Sequence, residues 1–92
     1  MKKPKTLNPV RVGNAVMIRT VTHYHVGRIS EIADGYLVLT DAAWVADTGR
    51  FSEALANGSL NEVEPFPGPV AVATSSIIDV TGWTGIIPLA KK

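Results

Sequence analysis

The chain has 92 residues, no cysteine, a formal net charge of +1, 46% hydrophobic residues and only 18% charged ones. This length allows one domain, the lack of cysteine excludes disulfides and thiolate metal sites, and the missing basic cluster disfavours nucleic-acid binding by bulk electrostatics. Apolar surface is plentiful relative to the core that so small a domain can bury, which favours self-association.

The sequence predicts a cytoplasmic protein with no membrane insertion and no cofactor. No run of it approaches the roughly 18 apolar residues of a membrane span. Its lysine-rich start is followed by Pro4 and Pro9 rather than by the apolar stretch of a signal peptide. We expect a single domain over residues 1–92, with residues 1–10 flexible.

The first half of the chain predicts two strands and a tight turn. Residues 14–22 are rich in β-branched side chains, which favour a strand. Residues 26–33 place Ile29 and Ile32 around a polar pair, a departure from alternation that fits a bent or bulged strand. Asp34-Gly35 then tolerates the positive φ angles that a hairpin turn requires.

A third strand and a helix are predicted next. Residues 36–43 form the strand, and their continuous apolar run Leu37-Val38-Leu39 predicts burial on both sides. In residues 48–58 the apolar period becomes helical and Asn57-Gly58 is a stop signal, so we expect a short inserted helix there. Asp47 and Thr48 are expected either to be solvated at the surface or to cap its start.

Prolines and β-branched runs organise the last third of the chain. Three prolines within residues 62–69 would remove ladder donors, which predicts a rigid connector rather than a central strand. Residues 70–74 and 77–81 are β-branched and are separated by Ser75-Ser76, which predicts two short strands or one sharply bent strand.

Five short strands with sharp bends predict a small, mainly β barrel, either SH3-like or Sm-like. One stretch of the chain resembles the first motif of the Sm, LSm and bacterial RNA-chaperone superfamily. That motif is carried by Gly27, Ile29, Ile32, Asp34, Leu37-Val38-Leu39 and Asp41. Residues 70–80 resemble, more loosely, the fourth strand, tight turn and fifth strand of that family. The fold expected is therefore a five-stranded, strongly bent Sm-like barrel with one inserted helix.

The resemblance implies homo-oligomeric rings of about five to eight copies, in which the fourth strand of one subunit pairs with the fifth strand of the next. It also implies binding of single-stranded RNA at the pore, by the loop after the second strand and the turn between the last two. On this chain the candidate pore contacts are Asp34, Gly35, Tyr36, Thr74, Ser75 and Ser76. The family's basic turn is replaced here by Thr74-Ser75-Ser76, which disfavours RNA.

His23 and His25 flank Tyr24, and residues two apart in an extended segment point to the same face, so the two histidines are candidate metal ligands. Zinc would need two further ligands, and a polar hairpin turn is the favoured interpretation. Four aromatic residues could stack nucleobases, although core or interface positions are commoner: Tyr24, Tyr36, Trp44 and Trp83. Tyr36 is the first candidate among them.

No enzymatic activity is expected. Asp41, Asp47 and Asp79 could supply a carboxylate pair, but no nucleophile with a paired base accompanies them. The sequence therefore predicts a non-catalytic, ring-forming scaffold or interaction protein. The alternative is a ring that binds single-stranded RNA or another nucleic acid with altered specificity, and a monomer would instead favour an SH3-like adaptor.

Overall fold

The computed structural model describes residues 8–91, which form six strands, one α-helix and one 3-10 turn. In chain order these elements are β1 Ala15–Thr20, β2 Tyr24–Ala33, β3 Tyr36–Asp47, α1 Phe51–Asn57, β4 Glu62–Pro65, β5 Val70–Ala73, the 3-10 turn Thr74–Ser76, and β6 Ile77–Gly82. The mainly β class and the short helix inside residues 48–58 agree with the prediction.

All strands pair antiparallel in one sheet with the order β4-β3-β2-β1-β6, and β5 also pairs with β3. The long strand β3 has β2 on one side. On its other side, β5 pairs with residues 36–39 and β4 with residues 43–47. Within residues 8–91 no ladder joins β6 to β4 or β5, so the sheet is open.

The bend predicted in β2 is present as two shifts of register against β3, one between Val26 and Arg28 and one between Ile29 and Glu31. Gly27 sits at the first shift, where a Cβ atom would lie 3.1 Å from the Cα of Ala42. Opposite it, Asp41 adopts a φ of 50°. A bulge of this kind bends the strands, and it requires a glycine where the two backbones come close.

Two predictions about strands are wrong. There are six strands rather than five among the described residues, because the first part of the proline-rich connector forms β4. Phe66 donates its N–H to Ala42 O at 2.8 Å. In the alternating ladder this places Pro65, which faces Ala43, at a position that needs no donor. Val38 is only half-buried, because strand alternation turns it away from the face that buries Leu37 and Leu39.

The helix also differs from the prediction at its start. Its N-cap is Arg50, without a side-chain capping bond, whereas the Asp47 carboxylate accepts a bond from Gly49 N–H at 2.8 Å. Asp47 therefore stabilises the preceding turn and does not cap the helix. Gly58 ends the helix in the left-handed conformation and donates its N–H to Ala54 O, as the Asn57-Gly58 signal predicts.

Two hydrophobic clusters lie on opposite faces of the sheet, since consecutive residues of β1 alternate between them. The first cluster joins α1 and Trp83 to the sheet and contains Met17, Val26, Ala43, Val45, Ala54, Leu60, Val63 and Trp83. The second contains Val16, Ile18, Ile29, Leu37, Leu39, Ala42 and Val72. Both faces of a single small sheet are therefore used to bury apolar side chains.

The N-terminal segment predicted to be flexible, residues 1–10, lies outside the described residues except for its last three. Of these, Val10 packs against the second cluster. None of the helices within residues 8–91 has the length and hydropathy needed to cross a membrane.

Candidate functional site

The six candidate pore residues lie at one end of the sheet. Thr74 donates its N–H to Gly35 O at 3.0 Å, and Tyr36 pairs with Ala73. This brings the β2–β3 turn into contact with the 3-10 turn that holds Ser75 and Ser76. All six residues are exposed except Ser76, which is half-buried and whose hydroxyl donates to Ala73 O at 2.8 Å.

Positive charge is absent from the chain segments that meet at this end. Residues 29–40 and 70–82 contain neither lysine nor arginine, whereas Glu31 and Asp34 are exposed there. The Tyr36 ring, 49% exposed, is the available stacking surface. The arrangement offers one aromatic ring and several hydroxyl groups but nothing to neutralise phosphate.

Among the described residues, β4, β5 and β6 each pair on one side only. Because Thr74 and Gly35 form a hydrogen-bonded pair, ladder alternation turns the N–H of Ala71 away from β3. Trp83 donates its backbone N–H to Ala15 O at 2.9 Å, and the same alternation turns the N–H of Val80 away from β1. We call these outer sides of β5 and β6 the free edges.

A second group of functional side chains lies on the face that carries the second cluster. We call it the histidine–tryptophan face, formed by His23, His25, Trp44, Glu64 and Phe66. His25, Trp44 and Glu64 lie opposite one another in a row across β2, β3 and β4. His23 and Phe66 stand two residues from this row, so strand alternation keeps them on the same side.

Aromatic contacts hold this face together. The His23 and His25 ring centroids are 5.2 Å apart. His23 meets Trp44 edge-on at 6.0 Å, and His25 stacks on Phe66 at 5.8 Å with an interplanar angle of 15°. Thr22 Oγ1 lies 2.8 Å from His23 Nδ1, which fixes that ring at the rim. The predicted same-face placement of the two histidines is present, but His25 belongs to a strand and is buried rather than part of a polar turn.

Two polar atoms of the face are buried without a hydrogen-bond partner within residues 8–91, namely His25 Nδ1 and Trp44 Nε1. Only 6% of His25 is exposed. Burial lowers the pKa of its imidazole below the ordinary 6.5, and the neighbouring His23 lowers it further. His25 is therefore neutral at pH 7 and can offer either a donor or an acceptor at Nδ1, whereas the Trp44 indole is a donor only.

Metal binding by the two histidines has no further support. Among residues 8–91 no group of three or more histidine, aspartate or glutamate side chains is arranged to hold a metal ion. Two imidazoles without a third ligand fall short of the four donors that zinc takes.

Cavities border the histidine–tryptophan face on both sides of His23. A groove of about 350 Å³ lies over it, lined by His23, Trp44, Glu64, Pro65, Phe66 and Pro67. A second cavity of about 310 Å³ separates the β1–β2 turn from β5 and reaches His25. Sequence reasoning missed Glu64 and Phe66, because the prolines around them hid strand β4. The alternation of Val63 with charged neighbours was the signal that could have found it.

The remaining candidates have structural partners. The Asp79 carboxylate accepts from Arg19 Nε at 3.1 Å and from Arg19 Nη2, which joins β6 to β1. Tyr24 meets Phe51 edge-on at 5.8 Å, and Trp83 is buried in the first cluster. Comparison with protein-family models, curated proteins and solved structures gives no match to this chain.

Proposed function

We propose that the protein is non-catalytic, has an Sm-like barrel fold and assembles into a ring-shaped homo-oligomer. In this ring the free edge of β5 in one subunit pairs with the free edge of β6 in the next. The observation that carries this proposal is the pair of free edges, which an open six-stranded sheet leaves in one small domain. Unpaired edges invite strand addition, and a closed ring removes them.

The two free edges are different surfaces, so their pairing is head-to-tail. A head-to-tail contact repeated around an axis produces a closed ring when the rotation between subunits closes. Apolar side chains near the β6 edge favour such a contact: Ile78 is 55% exposed, and Ile77 and Val80 are only half-buried. Pairing would add backbone hydrogen bonds at Ala71 and Val80 and would cover this surface.

The order β6-β1-β2-β3-β5 and the bent second strand support the Sm-like assignment. So does the three-residue 3-10 turn between β5 and β6, which would take the place of the tight turn in the family's second motif. In this assignment β5 and β6 are the family's fourth and fifth strands. β4 and α1 form an insertion between the third and fourth.

The test is the native mass by size-exclusion chromatography with light scattering, compared between wild type, Ala71→Pro and Ala71→Ser. We expect wild type to have about five to eight subunits. Ala71→Pro deletes the outward N–H of β5 without touching the ladder to β3, so it should give a folded monomer. Ala71→Ser keeps that N–H and should assemble like wild type.

A monomeric wild type would contradict the ring proposal and would instead favour an adaptor domain that acts as a single copy. An Ala71→Pro ring of unchanged mass would show that another surface joins the subunits. Circular dichroism of each variant establishes that the fold is retained before the masses are compared.

A second candidate function, binding of single-stranded RNA or DNA at the sheet end, is favoured by the contact between Gly35 and Thr74 beside the exposed Tyr36 ring. It predicts salt-dependent binding of an oligonucleotide that weakens in Tyr36→Ala, since a base stacked on an aromatic ring contributes about 1 to 3 kcal/mol. Absence of binding at low salt would remove this candidate.

A further inference from the structure

We propose that the groove over the histidine–tryptophan face binds a proline-containing peptide segment that also carries a lysine or arginine. The proposal concerns a different surface from the free edges and does not depend on ring formation. It combines three features of the groove: flat apolar walls, a buried donor without a partner, and a carboxylate at the rim.

The walls come from the rings of Trp44, Phe66 and His23 and from Pro65 and Pro67. Rings already fixed by mutual contact, His23 against Trp44 and His25 against Phe66, lose little freedom when a ligand binds. A polyproline II segment is similarly rigid before binding, and its pyrrolidine rings pack well on aromatic side chains. The groove and this ligand class therefore match in apolar surface and in stiffness.

The Trp44 indole provides a hydrogen-bond donor. Its Nε1 is buried without a partner within the described residues, although a buried N–H normally has an acceptor. A polyproline II segment has no internal hydrogen bonds, and one of its free carbonyl oxygens would accept from this N–H once a small rotation of the indole exposes it.

Charge selects the basic residue and disfavours a nucleotide. The Glu64 carboxylate is exposed at the rim of the groove. The lining residues, His23, Trp44, Glu64, Pro65, Phe66 and Pro67, include neither lysine nor arginine. A lysine or arginine of the ligand would therefore find a carboxylate, whereas a phosphate would meet one charge of its own sign.

The experiment uses the full chain labelled with ¹⁵N and a synthetic peptide in which single lysines alternate with pairs of prolines, acetylated and amidated at its ends. The protein has two tryptophans, so its spectrum has two indole N–H signals, and Trp44→Phe assigns the one from Trp44. We expect the Trp44 signal to move on titration to about 1 mM peptide while the Trp83 signal stays in place.

Dissociation constants from the anisotropy of a labelled peptide then test the two contacts separately. Trp44→Phe keeps a ring but removes the donor, and it should weaken binding about threefold to tenfold. Glu64→Gln should weaken binding about threefold and remove most of its salt dependence. Glu31→Gln removes an exposed carboxylate of β2 that lies outside the groove and should change nothing.

Three results would overturn the proposal. The first is a Trp44 signal that does not move. The second is equal binding of a peptide with glutamate in place of lysine, or with glycine in place of proline. The third is a shift of the Trp44 signal by guanosine monophosphate but not by peptide, which would identify a nucleobase site instead.

Discussion

Gly58 and Gly85 bring two loops into direct backbone contact. A Cβ atom at Gly58 would collide with the Cα of Gly85, and Gly58 has a φ of +71°, where side chains are disfavoured. Gly58→Ala should therefore lower the free energy of unfolding by about 2 to 5 kcal/mol, measured by urea denaturation.

Gly68→Ala is the matched control, since a Cβ atom there would meet nothing within 4 Å and the residue has no positive φ. We expect it to be neutral or to stabilise by up to about 1 kcal/mol. Equal effects of the two substitutions would mean that the loops carrying Gly58 and Gly85 are not packed together.

His25 should make the free energy of unfolding fall as the pH is lowered, within a defined pH range. Its pKa in the folded protein is below the ordinary 6.5, so the unfolded chain binds the proton more tightly. Above pH 6.5 both states are neutral at this residue and it has no pH effect. As pH falls below 6.5, the unfolded state gains protons first, and the free energy of unfolding falls by at most about 1.4 kcal/mol per pH unit.

Urea denaturation at pH 7.5, 6.5 and 5.5 measures this slope above the range where carboxylates titrate. His25→Gln should abolish the slope, whereas His23→Gln should keep most of it, because burial is the larger cause of the lowered pKa of His25. An unchanged slope in His25→Gln would assign the titration to another group.

At the scale of elements, α1 and β4 form one side of the first cluster rather than an appendage. Ala54, Leu60 and Val63 are at most 4% exposed and pack against β2 and β3 residues. Leu60→Ala should therefore lower the free energy of unfolding of the whole domain by about 2 to 5 kcal/mol. The same substitution at Leu89, which is 73% exposed, should change it by no more than about 0.5 kcal/mol.

Amide hydrogen exchange distinguishes a shared core from a separate unit. Leu60→Ala should speed exchange in β2 and β3 as well as in α1 and β4, because all of them open together. Faster exchange confined to residues 48–66, with unchanged global stability, would mean that this segment folds on its own.

The prediction of strands succeeded where local patterns decide and failed where pairing decides. The Asp34-Gly35 turn and the two strands around Ser75-Ser76 follow from turn chemistry and β-branched runs. β4 could not be predicted by counting prolines, because the harm a proline does depends on which ladder position it takes. β3 extends to Asp47 because β4 pairs with it, which no local signal encodes.

In the candidate site, too, local patterns predict some features and strand pairing determines the others. Same-face placement of His23 and His25 follows from strand alternation alone. Their contacts with Trp44 and Phe66 depend on the register of β2, β3 and β4, which the bulges around Gly27 and Asp41 set. A shift of the strand register by one residue would turn Trp44 to the opposite face, so sequence patterns alone could not predict the groove.

The two faces and the two free edges of the sheet have different roles. One face buries the helix, the other buries the second cluster and continues into the groove, and the two edges remain unpaired among the described residues. A domain of this size buries a modest share of its surface and has limited stability alone. If the free edges join subunits, part of the stability must come from assembly.

That dependence predicts a melting temperature that changes with protein concentration. When unfolding also separates subunits, dilution favours the unfolded chains, and for a domain of this size each tenfold dilution should lower Tm on the order of 5 °C. Differential scanning calorimetry across a hundredfold range of concentration measures it.

Ala71→Pro should show a lower Tm that no longer varies with concentration, while Ala71→Ser should follow wild type. A wild-type Tm that is constant across the range would contradict assembly-linked stability, since mass action allows no such constancy when dissociation accompanies unfolding. A concentration-dependent Tm in Ala71→Pro would instead place the stabilising contact away from the β5 edge, because that substitution removes a hydrogen-bond donor only there.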